Sequence, residues 1–222
     1  MSATPTRTPL RIDFVSDVVC PWCAIGLRSL EQAIAGLGEQ VAADLHFQPF
    51  ELNPQMAREG EDVTEHLVRK YGGTPERFAQ NREAIRARGA ELGFTFNARE
   101  RIYNTFDAHR LLHWAALEGG GRELALKEAL LRAYFTDGED VSAPDVLVRA
   151  AGAAGLDTAR AQAILASDEY AAEVRERERY YLDRGIHSVP AVIIDERHLV
   201  SGGQPVAVFA EALRRVAQAK AA

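Results

Sequence analysis

Two cysteines that lie between a strand pattern and a helix pattern constrain the fold of this chain more than any other feature. The segment 10–17 predicts a strand. Cys20-Pro21-Trp22-Cys23 follows it, and the apolar residues after the motif have helical spacing up to Gly36 and Gly38. A CxxC motif that follows a strand and opens a helix is typical of a redox-active pair.

The position of the motif also predicts how the two thiols divide the work. Backbone amides and the helix dipole at a helix N-terminus stabilise a thiolate, so we expect Cys20 to be the attacking sulfur. Cys23 lies one turn further into the helix and is expected to be the more buried, resolving thiol. Both are predicted to be catalytic.

Two other interpretations of the cysteine pair compete with redox chemistry. A structural disulfide between residues this close would remove little entropy from the unfolded chain. His109 and His113 are four residues apart and could complete a Cys2His2 zinc site, but such modules usually place about 12–15 residues between the pairs. Residues 24–108 separate the pairs here. We therefore predict no metal site, and the two histidines are expected to pack as a helix face.

The rest of the chain predicts an α/β fold in the order βαβ, helical block, ββα. A second strand is expected over 44–52, five or six helices over 62–185, and a hairpin from 191–194 and 199–201. Thr74-Pro75-Glu76 and Ser142-Ala143-Pro144-Asp145 resemble capped helix starts. A last amphipathic helix passes through Val208, Phe209, Leu213 and Val216.

Composition and charge narrow the classes of partner. The net charge of −6 provides no basic surface for nucleic acid. No apolar run could span a membrane, and the polar opening Met1–Pro9 has no apolar signal core. A cytoplasmic protein is expected, and with only two cysteines a framework of several structural disulfides is excluded.

Several side chains are candidates for the surroundings of the motif. Asp17 could relay a proton to or from Cys23, or serve only as a solvated strand cap. Trp22 could shape a substrate groove or cover the helix start. Asn53 and His109 could line a cleft between the domains or act as structural hydrogen-bonding residues.

Five motifs give the chain a family likeness that spans nearly its whole length. It resembles the DsbA-like superfamily, most closely its FrnE-like cytoplasmic branch. The motifs are Ser16-Asp17-Val18-Val19-Cys20-Pro21-Trp22-Cys23, Pro49-Phe50-Glu51-Leu52-Asn53-Pro54, Asn104-Thr105-Phe106-Asp107-Ala108-His109-Arg110-Leu111, Ser188-Val189-Pro190 and Ser201-Gly202-Gly203-Gln204-Pro205.

The resemblance implies a thioredoxin fold with a large all-helical insertion. The first half would cover 9–60, the insertion 61–184 and the second half 185–222. It also implies a cis Pro190 facing the motif, so that the backbone of Val189 can pair with an extended substrate segment beside Pro21 and Trp22. Thiols and disulfides of proteins or small molecules are the implied partners, and no cofactor is expected.

The same superfamily contains 2-hydroxychromene-2-carboxylate isomerases and kappa-class glutathione transferases, which carry serine where this chain has Cys20. The cysteine pair therefore favours disulfide exchange over isomerisation. A glutathione-dependent isomerase or transferase acting on an aromatic small molecule is the alternative, with glutathione as its partner, although Gln204 stands near the position where those relatives place an acidic residue for glutathione. A peptide-binding chaperone with a redox switch is a third hypothesis.

Overall fold

A computed structural model describes residues 7–221 and confirms the predicted strand, helix and strand at the start of the chain. Strand β1 covers Thr8–Ser16, helix α1 covers Pro21–Leu37, and strand β2 covers Val41–Pro49 after a short 3-10 turn. Of the predicted polar opening Met1–Pro9, residues 1–6 lie outside the described part of the chain.

Strand β2 lies earlier in the chain than the predicted range 44–52. It pairs in parallel with β1, and this pairing ends where Ser16 meets Pro49. Beyond that point the N–H of Leu52 donates to the carboxylate of Asp17 at 2.7 Å instead of joining the sheet. The polar-apolar alternation continues past Pro49, whereas the hydrogen-bonded ladder does not.

The central sheet has four strands in the order β2-β1-β5-β6, with β5 at Ala191–Ile194 and β6 at His198–Ser201. Among the described residues, β1–β2 is the one parallel pair of this sheet. The predicted hairpin is confirmed, and its turn holds Asp195 and Glu196 at positive φ, as tight hairpin turns require. The last helix, α9, covers Val206–Ala221 and packs against α1.

Seven helices lie between β2 and β5, so the expectation of five or six was wrong. They are α2 Val63–Tyr71, α3 Pro75–Glu91, α4 Phe106–Glu118, α5 Arg122–Phe135, α6 Pro144–Ala153, α7 Thr158–Leu165 and α8 Ala171–Leu182. Glycines separate most of them, but α7 and α8 are separated without one, because Tyr170 itself adopts the left-handed conformation. Two strands of two residues each, β3 Glu61–Asp62 and β4 Arg101–Ile102, pair with each other. They are too short to predict from the sequence.

Both helices begin where the sequence predicts, but only one of them has the predicted hydroxyl cap. The hydroxyl of Thr74 accepts from the N–H of Arg77 at the start of α3. Helix α6 begins at Pro144, but the hydroxyl of Ser142 donates to Asp140 and to the carbonyl of Arg58, so it tethers a loop rather than capping the helix. None of the helices within residues 7–221 is long and apolar enough to cross a membrane.

A buried arginine fixes helix α4 against the end of helix α7. The guanidinium of Arg110 donates to the carbonyls of Ile164 at 2.5 Å, of Ser167, and of Glu169 at 2.9 Å. It also pairs with Asp107 one turn earlier. These contacts connect α4 to the end of α7, and α4, α5 and α8 all pack against β2. The packing of α4, α5 and α8 on β2, the neighbour of β1 in the sheet, joins the helices to the sheet.

Two glycines in α1 form a matched pair for testing how tightly this helix is enclosed. A Cβ at Gly26 would lie 3.1 Å from Cγ of Pro190 and 3.4 Å from Cα of Gly203, whereas a Cβ at Gly36 would meet nothing within 4 Å. Gly36→Ala should stabilise the protein by about 0.5 kcal/mol through helix propensity alone.

Gly26→Ala gains the same propensity but must displace Pro190. We expect it to be less stable than Gly36→Ala by about 1 kcal/mol or more, in the range of overpacking costs. Chemical denaturation of both variants measures the difference. Equal stability of the two variants would show that Pro190 does not pack closely on α1.

Candidate active site

Cys20 is the residue that precedes α1, and its backbone carbonyl begins the hydrogen bonding of the helix. The N–H groups of Cys23 and Ala24 donate to that carbonyl at 3.0 and 3.3 Å, while the N–H of Cys20 donates to the carbonyl of Asp17 at 3.4 Å. The Cys20 thiol therefore lies at the positive end of the helix dipole, where a thiolate is stabilised. Both cysteines are free thiols.

Cys23 lies behind Cys20 and is fully buried. Burial raises the pKa of its thiol well above the usual value, and the hydrogen bond and charge of Cys20 raise it further. The charge of Lys127 and a backbone hydrogen bond from Asp17 act in the opposite direction. A thiol in this position must lose its proton to act as a nucleophile, so these neighbours control its reactivity.

The loop before β5 faces Cys20 from the other end of the chain. The Val189–Pro190 peptide bond is cis, and the carbonyl oxygen of Val189 lies 3.8 Å from Sγ of Cys20. Pro190 is buried against α1 at Gly26, while Val189 remains partly exposed. The loop thus presents backbone polar groups beside the outer thiol.

A cleft of about 670 Å³ opens beside Cys20 and is here called the Cys20 cleft. Pro21, Trp22, Asn53 and Val189 line it together with Cys20, so the structure brings most of the predicted site residues to one place. Its other walls come from α2, α3 and the 50–52 segment. The ring of Trp22 is 42% exposed, which leaves it available to a ligand in the cleft.

Basic side chains dominate the charge of the Cys20 cleft, and the sequence reasoning missed them. They are Lys70, Arg77, Arg82 and Arg99. The buried carboxylate of Glu51 also lines the cleft, but it already pairs with Arg175 from α8.

Lys70 is fixed in place at the rim of the Cys20 cleft. It donates to the carbonyl of Leu52 at 2.5 Å and to the side chain of Asn53 at 2.7 Å. Burial lowers the pKa of Lys70, although attraction to Asp17 opposes the shift. Asn53 is thus part of a hydrogen-bonded wall.

Asp17 is fully buried beneath the motif, so it is not a solvated cap. Burial alone would raise the pKa of its carboxyl, but His109, the amide of Leu52 and the charge of Lys127 outweigh burial and lower it. Oδ1 of Asp17 lies 3.5 Å from Nε2 of His109, too far for a strong hydrogen bond. The two groups nevertheless face each other behind the cysteines.

The structure places His109 away from the Cys20 cleft. It lines a second cavity of about 290 Å³ between β2 and helices α4, α5 and α8, here called the rear cavity. His113 also lines this cavity and packs on the ring of Tyr170, with centroids 5.2 Å apart. Within residues 7–221, no three His, Cys, Asp or Glu side chains converge to form a metal site.

Glu123 and Lys127 on α5 also line the rear cavity, and the sequence reasoning missed both. The carboxylate of Glu123 accepts from the N–H of Phe47 on the edge strand β2 at 2.9 Å. Burial raises the pKa of Glu123 to about 7 despite that bond and the charge of Lys127. In the sequence, both residues occupy positions of α5 where the helical periodicity predicts apolar side chains. This was the signal that could have identified them.

The raised pKa of Glu123 predicts a pH-dependent stability. The folded protein binds this proton more tightly than the unfolded chain does, so stability falls as pH rises from about 4.5 to about 7 and is then constant. Glu123→Gln removes the effect and can still accept from Phe47. We expect this variant to be more stable than wild type by about 3 kcal/mol at pH 8 and nearly equal to it at pH 4.5.

Urea unfolding of Glu123→Gln across this pH range measures the difference. Glu176→Gln, at an exposed position of α8, is the matched control and should follow wild type at every pH. If Glu123→Gln kept the wild-type slope between pH 4.5 and 7, the carboxyl would titrate at an ordinary pKa.

Comparison with known proteins agrees with this geometry. The DSBA-like thioredoxin domain model matches residues 11–214. A probable DsbA oxidoreductase of Streptomyces coelicolor is 35% identical, with a TM-score of 0.88 over 95% of this chain and 91% of that one.

Two more distant structures share the fold. A 2-hydroxychromene-2-carboxylate isomerase is 12% identical with a TM-score of 0.69, and a cytosolic disulfide reductase of Pseudomonas aeruginosa, solved with glutathione, is 15% identical with a TM-score of 0.62. Each alignment covers 95% of this chain and 98% of the other. The predicted fold, a thioredoxin domain with a helical insertion, is confirmed, and the chain belongs to the family of DSBA-like thioredoxin domains.

Proposed function

We propose that the protein is a thiol-disulfide oxidoreductase in which Cys20 and Cys23 reduce, oxidise or isomerise disulfides. The observation that carries the proposal is the placement of Cys20. Its thiol lies at the N-terminus of α1, beside the Val189 carbonyl and at the wall of an open cleft, with the buried Cys23 one turn behind. A nucleophilic thiol needs a route to its substrate, and the Cys20 cleft provides that route although Cys20 itself is only 4% exposed.

In the reductive direction the reaction has two exchange steps. The thiolate of Cys20 attacks a substrate disulfide, forms a mixed disulfide and releases one substrate thiolate. Cys23 then attacks Sγ of Cys20, which releases the second substrate thiolate and leaves the Cys20–Cys23 disulfide. The substrate has gained two electrons, and an external thiol must return two electrons to the enzyme.

The backbone of Val189 is the proposed docking edge for substrate. An extended segment placed in the Cys20 cleft could hydrogen-bond to this residue as an added strand, with Pro21 and Trp22 contacting its side chains. Because Lys70, Arg77 and Arg82 line the same cleft, substrates with acidic groups near the disulfide are favoured.

We further propose that the protein works in the cytoplasm. A chain with only two cysteines, both in the motif, fits a reducing compartment, where the pair rests as free thiols. The Pseudomonas reductase with the same fold is named as cytosolic. In such a compartment the reductive direction is favoured.

Insulin reduction by dithiothreitol tests the proposed activity. Catalytic amounts of the protein should shorten the lag before the insulin B chain precipitates, and prior alkylation of the cysteines should abolish the effect. The proposal fails if the native and the alkylated protein give the same lag as dithiothreitol alone.

A glutathione-linked isomerase or transferase is the second candidate. The basic lining of the Cys20 cleft could hold the carboxylates of glutathione, and the isomerase noted above has the same fold. Saturable binding of glutathione, together with conversion of a chromene-type acid that survives in Cys23→Ser, would favour this candidate over disulfide exchange.

A further inference from the structure

One side of helix α3 lines the Cys20 cleft. Its members recur at intervals of four residues, a spacing that places side chains on the same side of a helix, and they are Arg77, Phe78, Asn81, Arg82 and Ile85. Ile85 is buried and Phe78 partly buried, whereas Arg77 and Asn81 are exposed. This set is here called the α3 face, and its exposed polar members can meet a ligand in the cleft.

The carboxylates of α3 lie away from the cleft. The helix carries three of them, Glu76, Glu83 and Glu91, and none of the three lines the cleft. Glu83 pairs with Arg86 at 2.5 Å, and Glu91 pairs with Arg88 at 2.7 Å. Helix α3 therefore presents cations, but no anion, to the Cys20 cleft.

Three of the four Lys and Arg side chains in the Cys20 cleft already have partners within the protein. Lys70 makes the two hydrogen bonds described above. Arg99 donates to the hydroxyl of Tyr134 at 3.1 Å, and Arg82 donates to the hydroxyl of Thr64 at 3.4 Å. These three side chains add positive charge to the cleft, but part of their hydrogen-bonding capacity is already used.

Arg77 is the fourth, and it differs from the others. Within residues 7–221 its guanidinium forms no hydrogen bond and no salt bridge, although its backbone N–H donates to Thr74 at 3.3 Å. Its side chain lies along the turn between α2 and α3, since a Cβ at Gly73 would be 3.5 Å from Cδ of Arg77 and 3.7 Å from Nη1. The guanidinium thus keeps its donors available beside the cleft.

Asn81 lies one turn after Arg77 on the α3 face. Its side-chain amide also makes no hydrogen bond to the described part of the chain, so two free donor groups are neighbours on this helix. The planar guanidinium matches the two oxygens of a carboxylate, and such charge-assisted pairs are strong hydrogen bonds. Glu51, the one carboxylate among the described residues of the cleft, is already paired with Arg175. A carboxylate for Arg77 must therefore come from a ligand.

We propose that Arg77 and Asn81 form a carboxylate subsite of the Cys20 cleft, by which the protein selects disulfides that carry a carboxylate close to the reacting sulfurs. The subsite rests on the proposed function and assigns the preference for acidic substrates to one side of one helix. Arg77 and Asn81 determine specificity and take no part in the exchange steps, because they bind a group of the substrate that does not react.

The subsite gives the substrate a second point of attachment. Val189 lines the Cys20 cleft from the loop before β5, and the α3 face lines the same cleft from the helical insertion. A disulfide bound between them is held by its backbone at one wall and by its carboxylate at the other. Contacts that persist unchanged through the reaction strengthen binding without changing the rate of the bound complex.

Two matched pairs of disulfides test the subsite. The first pair consists of a short peptide disulfide with Glu beside the cysteine and the same peptide with Gln there. The second consists of glutathione disulfide and its ethyl ester. Pre-reduced protein is mixed with an excess of each disulfide, quenched with an alkylating agent at intervals and analysed by intact mass. The dependence on disulfide concentration gives the half-saturating concentration and the maximal rate of oxidation.

In wild type we expect the acidic member of a pair to saturate the protein at a concentration about fivefold lower than the neutral member, with similar maximal rates. In Arg77→Met this ratio should fall to about one while the maximal rates stay unchanged. Arg77→Lys keeps the charge without the planar fork and should give an intermediate ratio. Arg86→Met is the matched control, because it removes the same charge from α3 outside the cleft and should keep the wild-type ratio.

Asn81→Ala gives an independent measurement. It removes a neutral donor, so we expect the ratio to fall by about twofold. Added salt should reduce the ratio of wild type and of Asn81→Ala, since both retain the charge of Arg77, and should leave the ratio of Arg77→Met near one.

The outcomes separate the subsite from the proposed function. If reduced wild type is oxidised by none of the four disulfides to a Cys20–Cys23 disulfide, the oxidoreductase proposal itself fails. If wild type reacts but does not distinguish the members of either pair, or if Arg77→Met keeps the wild-type ratio, only the carboxylate subsite is overturned. A preference that depends on Arg77 supports the subsite in either pair, and the pair that shows it identifies the source of the carboxylate as a protein segment or a small thiol.

Discussion

Replacement of Cys20 by serine is expected to reduce insulin reduction by at least about a thousandfold, to the rate of dithiothreitol alone. A hydroxyl at the N-terminus of α1 is not ionised at neutral pH and cannot form a disulfide, so the first exchange step is lost. Cys20 is buried at 4% exposure, but serine is close to cysteine in size, and the hydrogen bonds that join Cys20 to Asp17 and Cys23 are made by its backbone. The variant should therefore fold normally.

Thermal unfolding of Cys20→Ser checks that the loss of activity is chemical. The melting temperature should lie within a few degrees of wild type, about the effect of a 1 kcal/mol change. A folded Cys20→Ser variant with wild-type insulin reduction would remove Cys20 from the mechanism and leave the site without its nucleophile.

Replacement of Cys23 by serine is expected to trap the reaction halfway. Cys20 still attacks, but nothing resolves the mixed disulfide, so an adduct of protein and substrate should accumulate to about one equivalent. Non-reducing electrophoresis or intact-mass analysis after mixing with a disulfide substrate measures the adduct. The adduct should disappear on addition of dithiothreitol.

The Cys20→Ser variant is the matched control for this trap. It retains Cys23, but that thiol is fully buried and its pKa is raised, so it should form no adduct. An adduct in Cys20→Ser and none in Cys23→Ser would reverse the assignment of attacking and resolving thiols.

The elements at the beginning and near the end of the chain could be predicted because their sequence signals are local. The strand, motif and helix around Cys20 have clear periodicity, and the hairpin 191–201 has a polar turn between two apolar runs. The helix count failed where the separator was Tyr170 in a left-handed conformation, since such a conformation leaves no trace in composition. The end of β2 failed because it depends on a contact between Leu52 and Asp17.

The candidate site could be predicted only where the motif itself carries the chemistry. Cys20, Trp22 and Val189 meet at one cleft as their motifs suggest. Lys127 could not be assigned to the rear cavity, because it belongs to a helix more than a hundred residues from the cysteine motif and is brought to that cavity only by the packing of α5 on β2. Its position on the apolar stripe of α5 was the one hint.

The most direct test of the redox pair is its titration in buffers of reduced and oxidised glutathione, with free thiols counted by alkylation and intact mass. Cys20 and Cys23 should be oxidised together to an intramolecular disulfide, with a midpoint between about −270 and −120 mV, the range of thioredoxin-fold oxidoreductases. Thiols that stay reduced at every ratio, or that form only separate glutathione adducts, would contradict the assignment of this pair as the catalytic centre.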